Sequence, residues 1–234
     1  MASRRRSAWL LVAISACGRV AFDPRVDAAG DAPPVGCQHT FCDDFDRATG
    51  LADGWTSSAG SDLSLDQGSL RVAFPPTVAD SEYLEIDLAP VAQTSARYAF
   101  DMDLETTDMT AETDLATLAW LTPPPGCTVL GFFIVRTRAF TPPMLVLQET
   151  YAGCASNIDD PIPAPPGFHH YEVDVAFGST GHVTVLVDGV VAVDRVPAAA
   201  VPASQLTFRL GAPSIQDAEQ PWLIHYDNLA IDLE

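Results

Sequence analysis

The chain has 234 residues, 47% of them apolar, which is enough to bury a core and excludes a disordered tail. Its 12 basic residues, all Arg, stand against 31 acids for a net charge of −19. An acidic chain without Lys has no footprint for a phosphate backbone, so nucleic acid is excluded as a partner.

Arg4, Arg5 and Arg6 precede an apolar run from Ala8 to Ile14, and small residues follow, in the order of a secretory signal. The run is about half of the ~20 residues that span a bilayer, so no permanent transmembrane helix is expected. Ile14-Ser15-Ala16-Cys17 resembles the lipobox of bacterial lipoproteins. The resemblance implies a signal peptide over residues 1–16, lipidation of Cys17 with palmitate-type chains, and a membrane partner reached through that anchor. Gly18 after the Cys implies the outer membrane of a Gram-negative bacterium. The alternative is an ordinary secretory signal that leaves Cys17 a free thiol. Several acyl chains anchor stably, and an acidic body is repelled by anionic lipid, so the body is expected to stand off the membrane. Residues 18–36 are small, hold three prolines and show no periodicity; with Cys17 they read as a lipidated tether over 17–36, ahead of a domain over 37–234.

Four further cysteines, Cys37, Cys42, Cys127 and Cys154, suit two disulfides in an exported chain, with three connectivities open. Thr128–Thr137 and Met144–Tyr151 read as strands around a Pro-containing turn. Antiparallel pairing would bring Cys127 to Cys154 at the open end of that hairpin, leaving Cys37 with Cys42. Zinc at Cys37, His39 and Cys42 is the weaker reading, because no paired CxxC set is present.

The body reads as strands. Leu84, Ile86 and Leu88 alternate with acids, as do Phe100, Met102 and Leu104, and Tyr171, Val173 and Val175. Leu206, Phe208 and Leu210 alternate with Thr207 and Arg209, and Leu229, Ile231 and Leu233 with Ala230 and Asp232. His182–Val187 and Val190–Arg195 flank Asp188-Gly189, a pair suited to a type I′ hairpin that sets Val187 against Val190. Thr110–Trp120 offers at most a few helical turns. Eleven to thirteen strands are expected, in an all-β, two-sheet antiparallel β-sandwich.

The stretches FCDDFDR…LSLDQGSLRVAF, FHHYEVDVAFGSTGHVTVLVDGVVAV and IHYDNLAIDL, in this order, resemble concanavalin A-like (laminin G-like) jelly rolls. The resemblance spans roughly residues 41–234. Phe168 stands where the family usually has Trp. That family includes lectins, adhesion modules, polysaccharide hydrolases and lyases, and stalks without ligand, so the fold alone selects no function.

Several candidate sites follow. The resemblance implies structural calcium near the first and last strands, with Asp44, Asp46 and Asp227 as its positions. Asp101-Met102-Asp103-Leu104-Glu105 resembles the acid motif of family-16 glucanases, but with Asp at the nucleophile position. Glu85-Ile86-Asp87 begins the same motif and does not complete it. Alternation alone predicts both sets as a wet strand face. His169-His170 point to opposite faces of a strand and cannot share a metal. No GxSxG or phosphate-loop signature is present. Trp55, after Gly54 in an expected loop, is the candidate sugar platform, whereas Trp120 and Trp222 read as core.

The expectation is therefore a non-catalytic recognition module on a surface lipoprotein, with a glycan or a surface protein as partner. The alternatives are a diverged glycoside hydrolase or polysaccharide lyase, and a purely structural or adhesion domain.

Overall fold

Among the described residues the chain forms fifteen strands, most of them marked by period-two alternation. They are β1 Phe41–Asp43, β2 Ser57–Ala59, β3 Leu63–Asp66, β4 Ser69–Phe74, β5 Thr77–Leu88, β6 Ser95–Leu104, β7 Glu112–Leu121 and β8 Val129–Arg138. After them come β9 Met144–Tyr151, β10 Ser156–Ile162, β11 His169–Ala176, β12 His182–Val187, β13 Val190–Arg195, β14 Leu206–Ala218 and β15 Trp222–Leu233. The computed structural model describes residues 37–47, 50–88, 94–105, 112–121, 129–138, 144–151, 156–176, 181–197 and 206–234. Cys17, the tether, Cys127 and Cys154 lie outside the described residues. Among the described residues no helix is long and apolar enough to cross a membrane.

The strands form two antiparallel sheets. One runs β13-β12-β11-β6-β15-β4-β3, with β1 added beside β15; the other runs β10-β9-β8-β7-β14-β5-β2. β4 pairs with the first half of β15 and β1 with the second half, so the opening strand continues the line of β4. The inner faces meet in one core. Phe100 stacks on Tyr171 within the eight-stranded sheet, and Tyr98 of that sheet meets Phe208 of the other at 5.2 Å between ring centroids. The Tyr226 hydroxyl crosses the core to the Gly211 carbonyl at 2.7 Å. Burial pushes the proton affinity of that phenol well up, so it stays a neutral donor.

The alternating segments take the expected faces. Leu84 and Leu88, Phe100 and Met102, and Leu206, Phe208 and Leu210 are buried. The Asp188-Gly189 hairpin is also as expected, with φ of 52° and 74° and Val187 opposite Val190. Cys37 and Cys42 are joined as a disulfide, their Cα atoms 6.4 Å apart.

Two expectations are corrected. The strands among the described residues number fifteen; one of them, β2 (Ser57–Ala59), forms without an apolar repeat by pairing with β5. In place of the helical turns expected at Thr110–Trp120, the described residues Glu112–Leu121 form strand β7, held between β14 and β8. Cross-strand partners on both sides satisfy its backbone, and β-branched Thr113 and Thr117 suit that setting.

β15 carries one irregularity of consequence. Its register against β6 shifts between Asp227 and Ala230, and Asn228 takes a φ of 50°. The bulge lets Ile224 and Tyr226 before it and Leu229 and Ile231 after it all face the core.

Candidate functional site on the outward sheet faces

Register aligns one row of residues across the seven-stranded sheet. It runs Ser57, Glu85, Arg209, Thr117, then through the backbone of Ile134 to Gln148 and Asp159, each directly opposite the next. The six other than Ile134 are polar. Arg209 Nε donates to Glu85 Oε2 at 2.6 Å, and the Ser57 hydroxyl donates to Glu85 Oε1 at 3.2 Å. The Arg209 guanidinium also lies 4.9 Å over the Tyr83 ring, a cation–π arrangement. At the far end Gln148 Nε2 donates to Asp159 Oδ1 at 2.8 Å. The hydroxyl of Thr207 donates to Asp87 one row away.

Thr117 occupies the middle of this row. It is 6% exposed, and its hydroxyl has no hydrogen-bond partner among the described residues. A buried hydroxyl without a partner costs free energy, so an added acceptor at this position would be favourable.

The outward face of the eight-stranded sheet is acidic. Asp101, Asp103, Asp174, Asp227 and Asp232 share it with His170, His225 and Arg97. His170 Nδ1 lies 2.6 Å from Asp101 Oδ1, and Asn228 Nδ2 donates to the other oxygen of that carboxylate at 2.7 Å. The bond to Asp101 raises the His170 proton affinity. Asp227 is pushed up to about 7, mainly by burial, with the charges of Asp101, Asp46 and Asp44 adding to it. A cavity of about 300 Å³ opens on this face, lined by Ser69, Glu105, Phe168 and His225 among others.

The residues singled out from sequence fall as follows. Asp44 and Asp46 come within electrostatic reach of Asp227. Among the described residues, no three His, Cys, Asp or Glu side chains are grouped closely enough to hold a metal ion. Glu85 and Asp87, and Asp101 and Asp103, lie on wet strand faces, as alternation predicts. His169 bonds Asp188 at 2.6 Å, and His170 lies on the outward face against Asp101.

Trp55 is a correction. It is 8% exposed and belongs to the core, with its indole N–H donating to Asp43 Oδ2 at 2.7 Å and its ring edge-on to Phe41 at 5.1 Å. Asp43 is itself buried and ion-paired with Arg47, so Trp55 satisfies a buried carboxylate rather than facing a sugar. Trp222 is core, stacked with Phe74. Sequence reasoning also missed Thr117 and Gln148, because a lone Thr or Gln in a strand carries no motif; only the register joins them to Arg209.

No family model matches the sequence, and no curated protein matches it. Solved structures do share the fold. An endo-β-1,4-glucuronan lyase from the fungus Trichoderma reesei matches with a TM-score of 0.64 at 16% identity, over 84% of this chain and 96% of that one. An alginate lyase matches at 0.57 and 15%, over 81% and 94%. A carbohydrate esterase from a Shiga toxin-encoding bacteriophage matches at 0.52 and 16%, over 85% and 100%.

At these identities the likeness establishes the fold, a jelly-roll β-sandwich. It also overturns the expectation of a non-catalytic module. The sandwich on which that expectation rested is shared, over nearly their whole length, with enzymes that cleave polysaccharides.

Proposed function

We propose that the protein is a carbohydrate-active enzyme of the polysaccharide-lyase type, acting on the outward face of the seven-stranded sheet. The observation that carries this reading is the polar row centred on Thr117 and Arg209, in a fold that glucuronan and alginate lyases share.

Elimination from a uronate needs a cation on the substrate carboxylate, a base for the proton on the adjacent carbon, and a proton for the departing sugar oxygen. Arg209 is 42% exposed at its side chain and is the cation of the row. Tyr83, beneath it, acts as base in its phenolate form, beside the guanidinium that favours that charge. The phenolate takes the proton from the carbon, the glycosidic C–O bond breaks, and the phenol so formed returns the proton to the departing oxygen, leaving an unsaturated sugar and a free hydroxyl end. Thr117 lies beside Arg209, and rotation of its buried, unpartnered hydroxyl toward the surface would offer it to a substrate oxygen. An alginate lyase of this fold was solved with alginate tetrasaccharide after replacement of a lysine and a tyrosine. This chain has no Lys, so any cationic role on the row falls to Arg209.

The acidic face of the other sheet repels a polyanion, which favours the seven-stranded face for such a substrate. Secretion with lipidation at Cys17 remains part of the proposal, and it would place the enzyme at the cell surface beside its polymer.

The test is ultraviolet absorbance of unsaturated uronate ends on glucuronan and alginate, with Arg209→Ala and Tyr83→Phe as controls. Product formation that both variants abolish supports the proposal. Neither product nor binding of either polymer by the full chain overturns it.

A further inference from the structure

Ser69, His225 and Glu105 lie far apart in sequence and meet on the outward face of the eight-stranded sheet. Ser69 opens β4, directly after the Gln67-Gly68 turn, whose φ values of 52° and 78° close a tight hairpin. His225 stands on β15, and Glu105 follows the end of β6. The Ser69 hydroxyl lies 3.3 Å from His225 Nδ1, and His225 Nε2 lies 3.6 Å from Glu105 Oε1. All three line the same cavity of about 300 Å³, at the small end of the range for ligand sites.

We propose that this cavity is an ester-hydrolysing site, with Ser69 as nucleophile, His225 as base and Glu105 as the positioning acid. Such a set is recognised by geometry and roles rather than by sequence spacing, and its contacts are commonly loose before substrate binds. Here the order along the chain is Ser, Glu, His, and no GxSxG elbow announces it.

In the free protein the Ser69 hydroxyl donates to the Asp66 carbonyl at 2.8 Å. Rotation about its Cβ–Oγ bond turns that proton to His225 Nδ1. Ser69 Oγ then bonds to the acyl carbon while the proton moves to His225. The bond from that carbon to the alkoxy oxygen breaks, and the leaving alcohol takes the proton. Water repeats the sequence on the acyl-Ser69, so that ester and water give acid and alcohol. Glu105 offsets the charge of the imidazolium. Gln67, the one amide side chain lining the cavity, supplies N–H groups for the developing oxyanion.

The lining also selects the substrate. Phe168 is 51% exposed and sits edge-on to His225 at 6.4 Å, which gives an apolar wall for a short acyl group. Asp66, Asp103 and Asp227 line the same space and repel anionic esters. The substrate is therefore a small neutral acyl ester, and the carboxylate product is expelled by the charge that surrounds it.

The test uses the full chain with p-nitrophenyl acetate and with a fluorophosphonate probe read by peptide mass spectrometry. The expected result is phosphonylation at Ser69, lost in His225→Ala, and a fall in kcat/KM of at least about 100-fold in Ser69→Ala. Glu105→Gln lowers kcat with little change in KM, and Glu105→Asp recovers part of it, which a purely structural role would not produce. Melting curves confirm that each variant is folded. A folded parent chain that takes no probe at Ser69, or a Ser69→Ala chain that hydrolyses as fast as the parent, overturns the proposal. Neither substrate carries a uronate, so failure here leaves the elimination assay on the other sheet to be judged by itself.

Discussion

Arg195 of β13 reaches across the open side of the sandwich to Glu149 of β9, with Nη1 2.5 Å from Oε2. The two residues belong to different sheets, and Glu149 is 2% exposed at its side chain. Asp160 of β10 takes the Nε of the same guanidinium at 2.7 Å. Here a charged group, rather than apolar packing, ties one sheet to the other.

Removing only Arg195 leaves the buried Glu149 carboxylate without its guanidinium. Arg195→Met should therefore cost about 3–5 kcal/mol in urea unfolding, and Arg195→Met with Glu149→Leu markedly less. A double variant as unstable as the single one would mean that the pair is worth its own attraction and not merely its mutual neutralisation.

Thr117 separates stability from function. Thr117→Val keeps the shape and removes a buried hydroxyl that has no partner among the described residues. The variant should be more stable by about 1 kcal/mol and should eliminate uronate polymers roughly tenfold more slowly. Equal activity in the two proteins would remove Thr117 from the proposed site.

Stability should fall as pH rises from 5 to 8. Asp227 binds its proton up to about 7 in the folded chain, against an ordinary value of 3.8. The folded state thus loses stability as pH climbs between those values, and the loss is complete above about 7. His170 acts in the same direction: its bond to Asp101 raises its proton affinity, so its contribution is present below the ordinary 6.5 and is lost as pH passes its raised value. Asp227→Asn keeps the oxygen that accepts from the Asn228 backbone N–H. It should raise stability at pH 8 by about 1–2 kcal/mol, discounted for partial exposure, and change little at pH 4. Parallel melting-temperature curves for the two proteins across this range would count against the assignment.

Two glycines at positive φ should respond very differently. A Cβ on Gly211 would lie 2.4 Å from the Glu82 carbonyl oxygen and 2.9 Å from the Tyr83 Cα, whereas one on Gly189 meets nothing within 4 Å. Gly189→Ala should cost about 1 kcal/mol, for its φ of 74° alone. Gly211→Ala must also push β14 away from β5, and should cost several times as much in denaturant unfolding.

Trp55→Phe should cost about 1–3 kcal/mol, because it leaves Asp43 without its indole donor. Glycan binding by the folded variant should be unchanged. A selective loss of binding at full stability would return Trp55 to the sugar-contacting role that its burial removes.

Much of the sandwich is legible in local patterns. Alternation marks β5, β6, β11, β14 and β15, and Asp188-Gly189 fixes a hairpin, because side chains two apart share a face and two adjacent positive φ values demand that pair. β2 and β7 escape the same reading, since their state is set by neighbours distant in sequence. Asp227-Asn228 shows the difference within one strand. The apolar pattern is visible on either side, but the shift in phase between the halves appears only as the bulge.

The sequence by itself determined the all-β class, the acidic surface and the faces of the long strands, because these depend on composition and on contacts between near neighbours. Only the tertiary structure decided which distant residues meet. Trp55 is drawn into the core by Asp43, Thr117 is set beside Arg209 by strand order, and Ser69 is brought to His225 by the pairing of β4 with β15. Cross-strand packing joins Ser69 to His225 across 156 positions, and no local spacing encodes that choice.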